Sequence, residues 1–175
     1  MTRHPIIRAC DPADLPLIEA LYRAAFPLED LVPLVRDLLQ DPTVSTALVA
    51  ERDGHPVGSV IFTRCAVAGS AAQVALLGPL AVQPPCQRRG VGGSLVRDGF
   101  GRLGDQGIAR VLVLGDPAYY GRFGFRQDMR IEPPYPLPGA WAGAWQSVAL
   151  GDTGGEVAGR LEVPPAWRRP ELWGP

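Results

Sequence analysis

The sequence predicts one domain of mixed α/β (α+β) class, and three observations indicate this class. Apolar residues recur at three- and four-residue spacing over 15–25 and 31–39, as on one face of a helix. Alternating apolar stretches flank Asp53-Gly54, a strong hairpin signal. Further along, a strand, a helix and a continuous apolar run at 110–115 form a βαβ pattern, which predicts parallel neighbouring strands.

The elements can be predicted in order. Asp11 is the expected N-cap of the first helix, and Pro12 lies in its first turn. Gly78-Pro79 interrupts the third long strand, and proline lacks a ladder donor, so a bulge or local splay is expected there. The predicted strands are 6–9, 46–52, 57–67, 73–82 and 110–115, and the predicted helices are 15–25, 31–39, 90–103 and 117–122, followed by a further strand.

The C-terminal segment 130–175 holds 8 Pro and 7 Gly, a composition typical of a linker. All four tryptophans nevertheless lie in it, and indole rings are seldom left in water. Residues 145–150 also alternate as in a strand. We therefore expect a domain at 1–150 and, at 151–175, an ordered extension of the same domain that frays after Arg168.

Composition excludes several function classes. All 17 basic side chains are arginine, so neither a phosphate-binding loop ending in Gly-Lys-Ser/Thr nor a Schiff-base lysine can occur. The two histidines, His4 and His55, are poorly placed for a catalytic triad or a zinc site, and no metal cofactor is expected. The net charge of −1 and 7% aromatic content argue against nucleic acid as the main partner.

The sequence also bears on the compartment. Cys10, Cys65 and Cys86 are odd in number and far apart, which indicates reduced thiols rather than a disulfide framework. The N-terminal segment has no apolar run of secretory length, and no stretch approaches the roughly 18 apolar residues that a membrane span needs. We therefore expect a soluble cytoplasmic domain with no membrane association.

The most informative segment is 78–96, where a strand ends at Val82, a proline turn follows, and Gly90 to Gly93 open a helix. The first amides of a helix have no internal partner, and the helix dipole adds partial positive charge there. Because glycine lets a phosphate approach the backbone, 87–93 is a candidate pyrophosphate cradle. The alternative interpretation is that the glycines only allow a tight turn from strand to helix.

Two arginines, Arg88 and Arg89, add positive charge beside this cradle. A dinucleotide-binding fold does not fit, because Leu95 stands where the third glycine of G-x-G-x-x-G belongs. The motif also follows roughly the fourth strand, whereas the dinucleotide motif follows the first.

Two motifs together point to a family. The segment from Gln87 to Gly92 has the form [QR]-x-x-G-x-[GA] and follows a strand that ends in 80–82. The segment from Tyr120 to Phe125 has the form Y-x-x-F-G-F. In this order they resemble the coenzyme A motif and the closing motif of the GCN5-related N-acetyltransferase (GNAT) family, in its YhbS-like branch. The resemblance covers roughly residues 4–150.

The resemblance implies the GNAT fold, a mixed central sheet flanked by helices whose fourth and fifth strands splay apart. It implies acetyl-CoA as cosubstrate, with the pantetheine arm between those strands, bonded to the backbone of Leu80 and Val82. A free amide near Leu80 would polarise the thioester carbonyl. The cofactor-binding residues so implied are Leu80, Ala81, Val82, Gln87, Arg88, Arg89, Gly90, Val91, Gly92 and Gly93.

The resemblance also assigns a catalytic residue. Tyr120, four residues before Gly124, matches the family's general-acid tyrosine, which protonates the leaving thiolate. The alternative is that Tyr120 and Tyr119 both pack the short helix against the sheet. In either case the resemblance leaves the general base unassigned.

Three carboxylates are candidates for binding a cationic acceptor or removing its proton: Glu29, Asp30 and Asp116. Each residue type is more often a helix cap or a solvated charge, and a water chain can suffice as base. Cys86 lies beside the turn, but it has no histidine partner and direct transfer needs no thiol nucleophile.

The leading functional hypothesis is an N-acetyltransferase that transfers acetyl directly from acetyl-CoA to a primary amine of a small molecule or peptide. The alternative is a non-catalytic acyl-CoA-binding regulatory module. The presence of Tyr120 favours the enzyme. The lack of an identified general base leaves the non-catalytic module as an alternative. The resemblance is compatible with a homodimer, although no sequence pattern indicates an interface, and the acceptor stays open.

Overall fold

Nine strands and four α-helices occupy the residues that the structure, a computed structural model, describes: 4–43, 45–152 and 156–175. The elements are β1 (Ile6–Ala9), α1 (Leu15–Ala25), α2 (Val32–Leu39), β2 (Ser45–Arg52), β3 (His55–Val67), β4 (Gln73–Val82), α3 (Val91–Asp105), β5 (Arg110–Leu114), α4 (Pro117–Tyr120), β6 (Arg126–Gln127), β7 (Ile131–Glu132), β8 (Trp145–Ala149) and β9 (Gly159–Glu162). The sheet is mostly antiparallel and is flanked by helices, which confirms the predicted mixed α/β class.

The chain divides into two compact units, and β3 and β4 contribute residues to both. Unit 1 comprises Met1–Phe62 and Gly78–Gly101, and unit 2 comprises Thr63–Leu77 and Arg102–Pro175. The strand order is β1-β2-β3-β4 in unit 1 and continues β4-β5-β8-β6 in unit 2. The predicted domain at 1–150 and extension at 151–175, which includes the undescribed residues 153–155, stay a prediction.

The predicted N-cap Asp11 caps a 3-10 turn that precedes α1, whereas the N-cap of α1 itself is Asp14. Asp11 accepts a hydrogen bond from Ala13 N at 2.9 Å, and Asp14 accepts one from Asp11 N at 2.7 Å, so the two carboxylates form a capping box around a 3-10 turn. From this turn α1 runs to Ala25. Arg36 of α2 donates to the Glu19 carboxylate of α1 at 2.6 and 3.0 Å, which joins the two helices.

Helix α3 packs closely on β3 in unit 1. A Cβ placed on Gly58 of β3 would lie 2.8 Å from Val91 and 3.1 Å from Leu95, both on α3. Val91 and Leu95 are buried, so the missing side chain at Gly58 lets the first turns of α3 approach the strand. The position of the candidate cradle therefore depends on this contact.

In unit 2 the pair β4–β5 is parallel, as the βαβ pattern predicts. Its register runs from Val74↔Arg110 to Leu76↔Leu112 and ends before Gly78-Pro79. At that dipeptide, where an interruption was predicted, Gly78 has a φ of 142° and the peptide bond to Pro79 is cis. β8 pairs antiparallel with both β5 and β6.

The C-terminal tail of unit 2 is more ordered than the sequence predicts. Fraying after Arg168 is wrong, because Trp173 is buried and its indole N–H donates to Trp167 O at 3.1 Å. The Trp173 ring also contacts the rings of Trp145 and Trp167, with centroid distances of 5.8 and 5.9 Å. β9 pairs with the end of β3, and of the four indoles only Trp141 is exposed.

Candidate active site

The ten residues predicted to bind the cofactor lie in unit 1, on the last part of β4, on the turn that follows it and in the first turn of α3. Along β4, Pro79 and Ala81 are buried, whereas Leu80 and Val82 are half-buried. Gln83 N donates to Val57 O at 2.9 Å, so the end of β4 is held against β3. The strand thus presents alternate residues, Leu80 and Val82, on its more accessible side.

The turn after β4 has a backbone shape that few residues other than glycine adopt. Pro84–Cys86 form a 3-10 turn, after which Arg88 has a φ of 59° and Gly90 a φ of 80°. A Cβ on Gly90 would meet nothing within 4 Å. Glycine is therefore favoured there by its backbone conformation, with open space beside it.

The start of α3 leaves backbone donors available. The first intrahelical bond that the structure gives is Ser94 N to Gly90 O at 3.0 Å. The amides of Val91, Gly92 and Gly93 belong to the first turn of a helix, where N–H groups lack intrahelical acceptors. Such a turn at the N-terminus of a fifteen-residue helix is suited to an anion.

The side chains of the turn add charge and support. The Gln87 amide donates to Val82 O at 3.1 Å and so ties the turn to the end of β4. Arg88 and Arg89 are exposed, next to the first turn of α3. The predicted candidates in this segment are contiguous in unit 1, with 87–90 exposed and 91–93 buried.

Tyr120 ends the short helix α4 in unit 2 and lies in an aromatic environment. Its ring meets Tyr119 and Phe125 edge-on, at centroid distances of 4.9 and 5.6 Å. It also lies over Gly115, where an added Cβ would come within 3.0 Å of the ring. Among the described residues, no group hydrogen-bonds to the Tyr120 hydroxyl. Its oxygen is not completely buried.

Burial raises the pKa of Tyr120 above its ordinary value of about 10, and the neighbouring Tyr119 raises it further. The phenol is therefore protonated throughout the neutral pH range and can donate a hydrogen bond. Full proton transfer to a thiolate of pKa about 8.5 is uphill by roughly 2 kcal/mol or more. Tyr120 is consequently better suited to stabilising a leaving thiolate by a hydrogen bond than by complete transfer of its proton.

The carboxylates that were candidates for the base lie at helix starts or in a loop. Asp116 accepts from Ala118 N at 2.9 Å as the N-cap of α4, and Asp30 accepts from Val32 N at 3.3 Å at the start of α2. Glu29 is exposed in the loop between α1 and α2. Asp116 thus has the capping role that was the alternative interpretation, whereas Asp30 accepts one long hydrogen bond in the turn before α2, whose N-cap is Leu31.

Of the three cysteines, Cys86 lies in the candidate segment and Cys10 and Cys65 lie outside it. Cys86 is half-buried in the 3-10 turn after β4. Burial raises the pKa of Cys65 to about 12 and that of Cys10 to about 11, so both are thiols rather than thiolates at neutral pH.

One contact of the candidate site was not predicted from the sequence. The hydroxyl of Tyr22, on α1, donates to Pro79 O on β4 at 2.6 Å. In the sequence Tyr22 belongs to the apolar face of a helix. The helical spacing predicts that its ring is buried but does not indicate a partner for its hydroxyl. Only a buried phenol oxygen, which needs a partner, could have indicated such a contact.

A cleft of about 420 Å³ opens elsewhere in unit 2 and contains none of the predicted site residues. It lies at the start of β5, where Arg110 donates to Ser147 and Ser147 donates to Asp128. Tyr120 lies beyond the other end of β5. We therefore assign this cleft no part in the candidate site.

Neither a metal cluster nor a membrane-spanning helix occurs within the described part of the chain. There, no group of three or more His, Cys, Asp or Glu side chains is arranged to hold a metal ion. None of the described helices has the length and apolar character to cross a bilayer.

Comparison with known proteins identifies the family. The Acetyltransferase (GNAT) family matches residues 15–125. The uncharacterized N-acetyltransferase YhbS of Escherichia coli (strain K12) is 40% identical over 134 residues, which cover 74% of this chain and 80% of that protein. The uncharacterized N-acetyltransferase YjhQ of the same strain is 34% identical over 154 residues, with coverage of 84% and 85%.

Solved structures give the same result. The crystal structure of the GNAT family N-acetyltransferase YhbS from Escherichia coli, in complex with CoA, has a TM-score of 0.84 and 35% identity over 95% of this chain and 93% of that one. A GNAT family acetyltransferase from Brucella melitensis, in complex with acetyl-CoA, has a TM-score of 0.77 and 29% identity over 94% and 98%. The family match spans most of the chain, and the predicted fold is confirmed. The chain belongs to the GNAT family and is an N-acetyltransferase.

Proposed function

We propose that the protein transfers acetyl directly from acetyl-CoA to a primary amine, without an acyl-enzyme. The observation that carries this proposal is the backbone at 87–93. Arg88 and Gly90 have positive φ there, and the amides of Val91, Gly92 and Gly93 follow in the first turn of α3. Relatives with 35% and 29% identity bind CoA and acetyl-CoA in their crystal structures, which supports the same ligand here.

The residues of unit 1 fit a pyrophosphate. Val91, Gly92 and Gly93 would hold its oxygens with their amides, and the exposed Arg88 and Arg89 would add positive charge. The open space beside Gly90 leaves room for the ligand. Leu80 and Val82 would bond the pantetheine amides with their backbone groups, and Ala81 would pack beneath it. The cosubstrate supplies the acetyl group as a thioester.

Tyr120 would act on the leaving group. The reaction forms a C–N bond and breaks a C–S bond, so one proton leaves the amine and one reaches the sulfur. The Tyr120 phenol is protonated, has no hydrogen-bond partner among the described residues, and can donate to the thiolate. The amide of Leu80 would stabilise the oxyanion that forms on the thioester carbonyl.

The amine must be neutral to attack, and its proton would leave through water. One carboxylate oxygen of Asp30 and one of Asp116 accept hydrogen bonds from backbone amides, so neither is proposed as the base. Glu29 is the exposed carboxylate that can attract an ammonium group in the α1–α2 loop. We therefore propose a cationic primary amine, of a small molecule or peptide, as the acceptor class.

The first experiment follows release of the CoA thiol from acetyl-CoA across a panel of small amines, amino acids and peptides. Turnover with any amine supports the enzyme. Tight CoA binding with no turnover on any acceptor would instead favour a non-catalytic acyl-CoA-binding module.

The second experiment tests the cradle by calorimetric titration of CoA. Gly90→Glu should weaken binding by about tenfold or more, since it strains the backbone and places a carboxylate beside the phosphates. Gly54→Glu is a matched control, because Gly54 has a φ of 79° and the same open surroundings but lies in the β2–β3 hairpin. Equal CoA affinity of the two variants would rule out the cradle.

A further inference from the structure

The buried hydroxyl of Tyr22 makes a short hydrogen bond to the backbone of β4. Its distance to Pro79 O is 2.6 Å, within the range of strong O–H···O bonds, whereas its distance to Ser59 O is 3.5 Å. Tyr22 is 1% exposed and Pro79 is buried, so water does not compete for this bond. The Pro79 carbonyl is therefore held by a side chain of α1.

The same peptide unit carries the amide of Leu80. A trans peptide is planar, and its carbonyl and N–H point in opposite directions. Of the described peptide bonds only Gly78–Pro79 is cis, so the bond from Pro79 to Leu80 is trans. A donor on Pro79 O consequently fixes the direction of the Leu80 N–H and also polarises it, because hydrogen bonds at the two ends of one amide strengthen each other.

The helix that carries Tyr22 is itself held in place. The Tyr22 ring stacks on the Phe26 ring, with a centroid distance of 6.4 Å and an interplanar angle of 14°. One turn earlier, Glu19 receives both hydrogen bonds from Arg36 of α2, and Ile18 is fully buried. The hydroxyl therefore reaches Pro79 from a rigid support, as positioning of a reactive group requires.

We propose that Tyr22 is a positioning residue that aims and polarises the Leu80 amide toward the thioester carbonyl. The inference rests on the proposed function, in which that amide stabilises the oxyanion. Tyr22 touches neither substrate in this proposal and acts through the Pro79–Leu80 peptide alone. Removal of the Tyr22 hydroxyl should reduce the polarisation of the thioester carbonyl while leaving the cradle at 87–93 intact.

The test is an isotope-edited infrared measurement on bound [1-¹³C]acetyl-CoA, which needs no acceptor. In the wild type, a hydrogen bond from Leu80 should shift the thioester C=O stretch to lower frequency than in water. Tyr22→Phe should reduce this shift, with an acetyl-CoA affinity within about twofold of wild type. Tyr135→Phe is the matched control, because Tyr135 is half-buried in unit 2, outside the segment that carries the proposed site, and should keep the full shift.

The outcomes separate the two proposals. If the wild type itself shows no low-frequency shift, the oxyanion amide of the proposed function fails. If the wild type shows it and Tyr22→Phe keeps it in full, the role of Tyr22 is overturned and the proposed function stands. With the best amine of the panel, Tyr22→Phe should also lose up to about tenfold in kcat, the value of one hydrogen bond, with little change in KM.

A second variant covers the case in which Tyr22→Phe folds poorly. Site-specific 3-fluorotyrosine at position 22 keeps the ring and makes the hydroxyl a stronger donor. The C=O stretch should then move to lower frequency than in the wild type. An unchanged stretch in the folded, acetyl-CoA-bound variant would overturn the proposal.

Discussion

Phe62 of β3 lies directly on Gly99 of α3. A Cβ at position 99 would come within 3.0 Å of two Phe62 ring atoms, closer than side chains pack in proteins. Phe62 is itself 1% exposed. The Phe62 ring thus occupies the space that a side chain at position 99 would need, and the contact helps to set how closely α3 approaches β3.

Gly99→Ala should therefore destabilise the protein by about 1–3 kcal/mol, because the new methyl group overpacks the contact with Phe62. Gly101→Ala, two residues on in the same helix, is the control. A Cβ at Gly101 would meet nothing within 4 Å, so this change should stabilise by up to about 1 kcal/mol through helix propensity. Urea unfolding measures both values. Similar stability changes in the two variants would contradict the packing argument.

Tyr120→Phe should lower turnover by about 10²-fold or more while leaving CoA affinity nearly unchanged, because the phenol is removed and the ring keeps its contact with Phe125. Thiol release and CoA titration measure the two quantities separately. A parallel loss of turnover and stability would instead assign Tyr120 to packing, which is the alternative interpretation of this residue.

Gly115→Ala tests the placement of the same ring without touching the hydroxyl. The methyl group would overlap the Tyr120 ring and force it to move, so turnover should fall by about tenfold or more even though Tyr120 is retained. Gly121→Ala, whose Cβ would meet nothing within 4 Å, is the matched control in the neighbouring turn. Full activity of Gly115→Ala would show that the position of Tyr120 does not matter for catalysis.

Local pattern accounts for most of what the sequence predicts correctly. The apolar spacing of α1 and α3 and the hairpin at Asp53-Gly54 involve residues a few positions apart, so a short window contains the whole signal. The backbone turn after β4 is also local, because it is contiguous with the first turn of α3, whereas the binding role of 87–93 stays a prediction. Both kinds of feature can therefore be recognised from neighbouring residues alone.

Contacts between distant residues could not be predicted in this way. β9 pairs with β3 although more than ninety positions separate Val67 from Leu161, and no window includes both. The bond from Tyr22 to Pro79 has the same character, since helical spacing predicts a buried ring but says nothing about its hydroxyl. The order of the tail depends on such contacts, and its composition alone therefore suggested fraying.

The stability of unit 1 should depend on the ionisation of Asp14. Arg8 donates to both oxygens of this nearly buried carboxylate, at 2.7 and 2.9 Å, and thereby lowers the pKa of Asp14 below its ordinary value of about 3.9. The unfolded chain then binds this proton at a higher pH than the folded one. The stabilisation is present above about pH 4 and is lost as the pH falls toward the folded pKa.

Asp14→Asn should accordingly cost about 1–3 kcal/mol at pH 7, and the difference from wild type should shrink as the pH falls from 5 to 3. Urea unfolding across this range measures it. Asp105→Asn, at the exposed end of α3, should show a small and nearly constant difference. A wild-type advantage over Asp14→Asn that persists undiminished at pH 3 would contradict the linkage.

The buried end of the chain gives the last prediction. Trp173→Ala should cost about 3–5 kcal/mol, because it empties a buried site lined by Trp145 and Trp167 and removes the bond to Trp167 O. Trp141→Ala removes an indole that is 38% exposed and should cost much less. Thermal unfolding of both variants makes the comparison. If they lose equal stability, or if Trp173→Ala unfolds like the wild type, the last residues are not part of the core of unit 2.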